Sequence, residues 1–514
     1  MFSIIKSMSL EGLEGYLVEV QTDISAGLPS FNVVGLPDTS IKEAKERVRA
    51  SIKNSNVEIP SRKILVNLAP ADKRKEGTIF DLPIAIGILV AMGSINEKML
   101  TNLDETIFLG ELSLDGKVNR VKGVLPMCLE AKKMGIKRAI VPKGNAKEAA
   151  VIEGLDVIAV STLNETIKFL NGFKQIEKQV IDLKNIFNNT NKYNIDFSEV
   201  KGQDIAKRAL EIAVAGGHNC IFIGSPGSGK SMLAKRIPTI LPDLTFDEAL
   251  EITKIYSIAG NIKSGESIIT KRPFRNPHHS TSAVSLVGGG SIPKPGEISL
   301  AHFGVLYLDE LPEFNRNVLE VLRGPLEDKE VTISRINSKL TYPCNFMLIA
   351  SMNPCPCGYY GSEIKNCVCS QNAVERYLSK VSGPLLDRID IHVEVKNVDY
   401  KNLQSNSKSL SSLDMKKRVD LARNIQLSRY KKSGIISNSE LTPNLIDQFC
   451  QIDNKGKEIL QKAFDNLGLS ARAYSKILKV ARTIADIEEE KNILPNHILE
   501  AIQYRNLDRK YWKN

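Results

Sequence analysis

No stretch limits the fold of this chain more than Gly224-Ser-Pro-Gly-Ser-Gly-Lys-Ser231. It fits the pattern G-x-x-x-x-G-K-[S/T], follows the apolar run Cys220-Ile-Phe-Ile223 and leads into the helical run Met232-Leu-Ala-Lys-Arg-Ile237. Strand, glycine-rich turn and helix in that order describe a phosphate-binding loop within an α/β unit. The glycines let backbone N–H groups wrap phosphate oxygens at a helix start, Lys230 can reach the β and γ phosphates, and Ser231 can hold magnesium. The candidate cradle is therefore Gly224, Ser225, Pro226, Gly227, Ser228, Gly229, Lys230, Ser231 and Met232, with ATP and Mg2+ as its ligands. A glycine-rich turn unrelated to nucleotide is the competing explanation for this motif alone.

Two further apolar runs bear on that choice. Residues 304–310, GVLYLDE, end in two carboxylates: Asp309 would join the magnesium shell and Glu310 would polarise the attacking water. Residues 346–353, FMLIASMN, end in Asn353, a side chain able to orient that water or touch the γ phosphate. Each has a plainer explanation. Acidic residues at strand ends are commonly solvated, and Asn353 could simply begin the turn that Pro354 demands.

A chain of 514 residues exceeds one ordinary core, so several domains are expected. Residues 1–172 alternate short strand-like runs (GYLVEVQTDI, FNVVGL, KILVNLAP, TIFLGEL, RAIVP, DVIAV) with helical patterns and read as one α/β domain. Residues 173–195 are polar and read as a linker, 196–395 as a second α/β unit with a parallel sheet, and 396–514 as a mostly helical domain. No apolar run reaches the roughly 18 residues a membrane span requires, and the N-terminus lacks the pattern of a secretory leader, so a cytoplasmic protein without a membrane is expected. The net charge is +10, and residues 396–514 hold 22 Lys/Arg against 14 Asp/Glu, which favours a polyanionic partner such as nucleic acid.

Half of the eight cysteines fall within residues 353–369, as Cys355-x-Cys357, nine residues, Cys367-x-Cys369. In a reducing compartment such a cluster suits a metal better than disulfides. Two short turns can supply four thiolates to a tetrahedral structural Zn2+, although C-x₂-C pairs are the commoner form. An iron–sulfur cluster or free, redox-active thiols remain alternatives. His278 and His279 are assigned no metal, because adjacent residues on a strand face opposite sides.

The order of P-loop, Asp-Glu strand, Asn strand and SGPLLDRIDIHVEV resembles an AAA+ ATPase. The blocks RPFRNPHHSTS, LVGGGSIPKPGEISLAHFGVLYLDELPEF, SGPLLDRID and LSARAYSKILKVARTIADIE are similar to those of the YifB/ComM family of magnesium-chelatase-like ATPases, across essentially the whole chain. The resemblance implies an AAA+ α/β/α core followed by a C-terminal helical lid. It implies that Arg388 is an arginine finger acting on a neighbouring subunit's ATP and that Arg472 is a second sensor on the lid. It also implies a homo-oligomeric ring of six subunits. From the residues alone, Arg388 could equally pair with Asp387 or Asp390, and Arg472 could decorate a basic helix.

Residues 327–343 read as two short strands around a polar turn, with Arg335 and Lys339 near the tip. This resembles a hairpin that related helicase-type ATPases point into the pore, where the two cations would grip the phosphates of single-stranded or branched DNA. Solvated surface charge is the alternative. The first domain resembles the proteolytic domain of Lon, but the nucleophile and lysine positions carry Phe80 and Leu125, which cannot attack or accept a proton. Thr78 keeps a small opening for hydrolytic chemistry. The expected role is a scaffold for recombination proteins or DNA. The function expected is an ATP-driven DNA motor, which the resemblance implies to be a branch-migration helicase of recombination or natural transformation. The rivals are a metal-insertion motor of the magnesium-chelatase kind and a protein unfoldase or Lon-like protease.

Overall fold

The computed structural model describes residues 1–96, 103–188, 193–290, 293–335, 338–362, 365–398, 410–467, 470–507 and 511–512. They form two units, Met1–Thr190 with Thr245–Thr270, and Asn191–Leu244 with Lys271–Asn514.

The first unit is built on a seven-stranded mixed sheet in the order Ser30–Val34, Lys63–Ala69, Glu14–Ser25, Phe2–Glu11, Thr106–Phe108, Arg138–Pro142, Asp156–Val160. Phe2–Glu11 was not anticipated as a strand. Its inward positions include Ser3, Ser7 and Ser9, so the alternation of apolar and polar residues is hidden. Ser3 and Ser7 are satisfied by donating to the backbone oxygens of Gly87 (2.8 Å) and Phe108 (2.9 Å). The helix Asp81–Ala91 is buried at every position, as a helix apolar on all sides must be. Its first residue, Asp81, accepts from Arg47 Nε at 2.7 Å and Nη2 at 3.0 Å, and from the Leu112 N–H at 3.2 Å. Burial nevertheless pushes the Asp81 carboxyl up to about 6, against the pull of Arg47. Phe80 and Leu125 are both fully buried.

Two segments pack in ways the sequence did not announce. Residues 245–270, expected in the second α/β domain, belong to the first unit: the Gly123 N–H donates to Ser257 O at 3.1 Å, and the Ser257 hydroxyl donates to Glu148. These are tertiary contacts with no local signature. The polar segment after residue 172 is also fastened locally, since the Gln179 N–H donates to Val157 O at 2.8 Å and Lys174 pairs with Glu165. Backbone pairing along an edge strand needs no apolar side chains.

The second unit carries a five-stranded sheet, Phe274–Arg275, Val305–Leu308, Met347–Met352, Cys220–Ile223, Ile391–Glu394, with every pairing parallel. The three middle strands are buried along their full length, which is why they read as unbroken apolar runs. The helices Ser412–Tyr430, Pro443–Phe449, Asn454–Leu467, Ala471–Ile487 and Pro495–Gln503 follow and share one hydrophobic core with the sheet. Within it, Asp486 accepts from Arg429, Arg482 and Asn438, so a buried carboxylate is balanced by two guanidinium groups. An antiparallel hairpin pairs Glu330–Arg335 with Ser338–Pro343, and Lys339 stands opposite Ser334. No helix among the described residues is long and apolar enough to cross a membrane.

Candidate functional site

In an open parallel sheet, ligands bind beyond the carboxyl ends of the strands. Here three adjacent strands deliver the motif residues to that end. Gly229 takes a left-handed backbone (φ +94°) as it caps the helix Lys230–Arg236, a conformation that costs most other residues about 1 kcal/mol or more. Lys230 Nζ donates to the backbone oxygens of Gly224 (2.7 Å) and Ser225 (2.9 Å) and to Asn353 Oδ1 (3.2 Å). Burial lowers its pKa to about 8, against the opposing pull of Asp309 and Glu310. The Ser228 hydroxyl is buried and has no partner among the described residues. Ser225 Oγ donates to Asn397, and Gln203 Nε2 donates to Ser228 O at 3.0 Å, steadying the loop from the side. Met232 is 47% exposed on the following helix. An ammonium held only by neutral oxygens, beside an unpartnered hydroxyl, fits a polyphosphate.

Ser231 Oγ donates to Asp309 Oδ2 at 2.8 Å, and the Ser351 hydroxyl donates to Asp309 Oδ1. Tyr307 reaches Ser351 at 3.2 Å. Burial pushes the Asp309 carboxyl up, but the Ser351, Ser231 and Tyr307 hydroxyls outweigh it and hold the group below the usual range. A charged carboxylate beside a serine hydroxyl suits Mg2+. Glu310 follows in a left-handed conformation (φ +54°), its N–H donating to Asp309 at 3.1 Å, and its side chain is exposed. Ser351 and Tyr307 were missed in the sequence; one serine inside the apolar run MLIASM was the available signal.

Arg388 pairs with neither Asp387 nor Asp390. Its Nη2 lies 2.5 Å from Glu327, while Nε and Nη1 donate to Arg323 O (3.2 Å) and Pro384 O (2.6 Å). Asp390 pairs instead with Lys476 at 3.1 Å. Lys476 also donates to Ile389 O, as does Arg505. Arg472 is exposed, 4.0 Å from Asp387. Lys339 is exposed on its strand, whereas the hairpin turn at 336–337 and the Arg335 side chain lie outside the described residues.

The four cysteine sulfurs lie within 4.8 Å of one another. Cys355 is 3.3 Å from Cys357 and 3.6 Å from Cys367, and Cys357 and Cys367 are 3.5 Å apart. A disulfide would need about 2.05 Å, whereas four thiolates on one tetrahedral Zn2+ at about 2.3 Å are spaced by about 3.8 Å. The N–H groups of Tyr360 and Cys369 donate to Cys355 and Cys367. The cluster could hold a metal. Its loop abuts the phosphate loop: a Cβ at Gly358 would fall 2.4 Å from Pro226 Cδ.

His278 and His279 do not face opposite sides. They leave the strand Phe274–Arg275 in irregular backbone, with rings 4.0 Å apart, and His279 Nδ1 lies 3.6 Å from Glu310 Oε2.

Comparison with known proteins agrees with this architecture. Residues 196–403 match the family model described as magnesium chelatase, subunit ChlI; residues 20–145 match subunit ChlI of Mg-chelatase, and 409–505 match the C-terminal part of that subunit. The chain is 42% identical over 510 residues to competence protein ComM of Haemophilus influenzae, covering 99% of this chain and 98% of that protein. It is 43% identical over 512 residues to protein YifB of Escherichia coli, covering 99% and 97%. An archaeal Lon protease of Methanocaldococcus jannaschii is 27% identical over 197 residues, 38% of this chain and 25% of that protein. With the P-loop parallel sheet, the helical C-terminal region and full-length similarity to both relatives, the chain belongs to the YifB/ComM family of magnesium-chelatase-like AAA+ ATPases.

Proposed function

We propose that the chain is a Mg-ATP-dependent motor that closes head to tail into a ring of six subunits in the cytoplasm and moves on DNA, as a branch-migrating helicase of recombination or DNA uptake. The observation that carries the ATPase part is the pair of contacts joining Lys230 to Asn353 and Ser231 to Asp309 across three strand ends. Lys230 and the loop amides would hold the phosphates, Ser231 and Asp309 the Mg2+, and Glu310 would orient and polarise the attacking water. Bound Mg2+ would neutralise phosphate charge. Arg388 would serve a neighbouring subunit after leaving Glu327, and Arg472 would sense nucleotide from the lid. The DNA part is supported by the basic charge, by exposed Lys339 on its hairpin, and by a relative that carries the name competence protein. Cys355, Cys357, Cys367 and Cys369 would hold one structural Zn2+, a closed shell that steadies the wall against Pro226.

The first unit acts as a scaffold for recombination partners or DNA, since Phe80 and Leu125 are sealed in its core and offer no proteolytic dyad. The family models favour a second reading, a metal-insertion motor of the chelatase kind. Turnover of a sized oligomer, measured with single-stranded DNA, branched DNA or unfolded polypeptide and with bound metal assayed on the same sample, separates the readings. DNA stimulation and one zinc per chain are expected; stimulation by polypeptide alone overturns the DNA motor.

A further inference from the structure

Glu310, the residue proposed to polarise water, has an exposed side chain whose one contact within salt-bridge distance among the described residues is His279, 3.6 Å away. That spacing is just beyond a hydrogen bond, so a shift of about half an ångström closes it. The histidine is not a loose surface ring. It packs against His278 at a tilt of 34° with ring centroids 4.0 Å apart and meets the buried ring of Phe314 edge-on at 6.4 Å. His278 is fixed in turn by Ser280, whose hydroxyl lies 2.8 Å and whose N–H lies 3.3 Å from its Nδ1. Phe314 closes the short turn Leu311–Glu313 that begins immediately after Glu310. Glu310 and the ring that His279 meets thus flank one short turn. An imidazole carrying its proton on Nδ1 can donate to Oε2 and fix which way the carboxylate faces.

We infer that His279 is a positioning residue for Glu310: it sets where the carboxylate stands beside Lys230 and Asp309, and acts through Glu310 rather than on the nucleotide. The inference rests on the reading of Glu310 as the water-polarising group. A small misplacement of such a group can cost up to about 100-fold in rate without weakening binding.

The test uses the full chain, with Mg-ATP turnover and the dissociation constant of a fluorescent ATP analogue measured on each variant. His279→Leu should lower kcat by about 10- to 100-fold while the dissociation constant stays within about twofold. His279→Asn, which keeps a donor and a similar reach, should recover most of the rate and serves as the readable variant if leucine disturbs folding. Parental turnover in His279→Leu, equal losses in both variants, or a rate loss matched by lost nucleotide affinity overturns the positioning role. Glu310→Gln, run alongside, separates the two claims. If it stops turnover with nucleotide still bound and His279→Leu does not slow it, positioning alone fails; if Glu310→Gln turns over normally, the reading of Glu310 fails and the positioning role falls with it.

Discussion

Asp81 in the first unit and Asp309 in the second are both withdrawn from water, and the two regions satisfy them differently. Asp81 is met by a guanidinium in two-point contact and by a backbone N–H, so its charge is answered inside the fold. Asp309 is met by the hydroxyls of Ser231 and Ser351, and its counterpart Lys230 by carbonyl and amide oxygens; neither ion meets an opposite charge within salt-bridge distance among the described residues. Burial alone does not separate the two regions, since Asp81 is sealed and Asp309 only half-buried. What separates them is that Asp309 and Lys230 have their hydrogen bonds while no opposite charge among the described residues meets them.

If that contrast is right, mutations should split cleanly between activity and stability. Lys230→Ala should reduce ATP turnover by about 10³-fold, as loss of a preorganised cation at a reacting phosphate does, without lowering the thermal midpoint. A midpoint that drops with activity would mean the lysine is structural after all. Arg47→Ala should do the reverse, leaving Asp81 buried and uncompensated at a cost of about 3–5 kcal/mol in urea unfolding. A cost below about 1 kcal/mol would break the comparison on its other side. A smaller effect concerns pH. Asp81 has a folded pKa of about 6, above the ordinary value of 3.8, so the folded state holds the proton more tightly. Its contribution is fully present below about pH 4 and is lost as pH rises through 6, by up to about 3 kcal/mol. Denaturant unfolding across pH 4–7 should show this slope, and Asp81→Asn should flatten it.

Much of the second unit was legible because its signals are local. A glycine pattern, two acids and an asparagine each end an apolar run, and a parallel sheet buried on both faces writes such runs plainly. The Phe2–Glu11 strand was not legible because serine sits where an apolar residue would have announced it. The packing of residues 245–270 with the first unit was not legible because it depends on Ser257, Gly123 and Glu148, residues far apart in sequence. The contact of His279 with Glu310 was obscured by treating 278–279 as strand, when the strand stops at Arg275. Gly358 gave no hint of Pro226, since a glycine that admits close approach looks like any turn glycine.

The ties of Lys476 to Asp390 and Ile389 carry a mechanical consequence. Lys476 lies four residues beyond Arg472 on the helix Ala471–Ile487, about 6 Å along its axis. Ile389 directly follows Arg388 and is gripped a second time by Arg505. The helix that bears Arg472 and the turn that bears Arg388 are thus fastened to each other at Asp390 and Ile389, so displacing either one strains both ties.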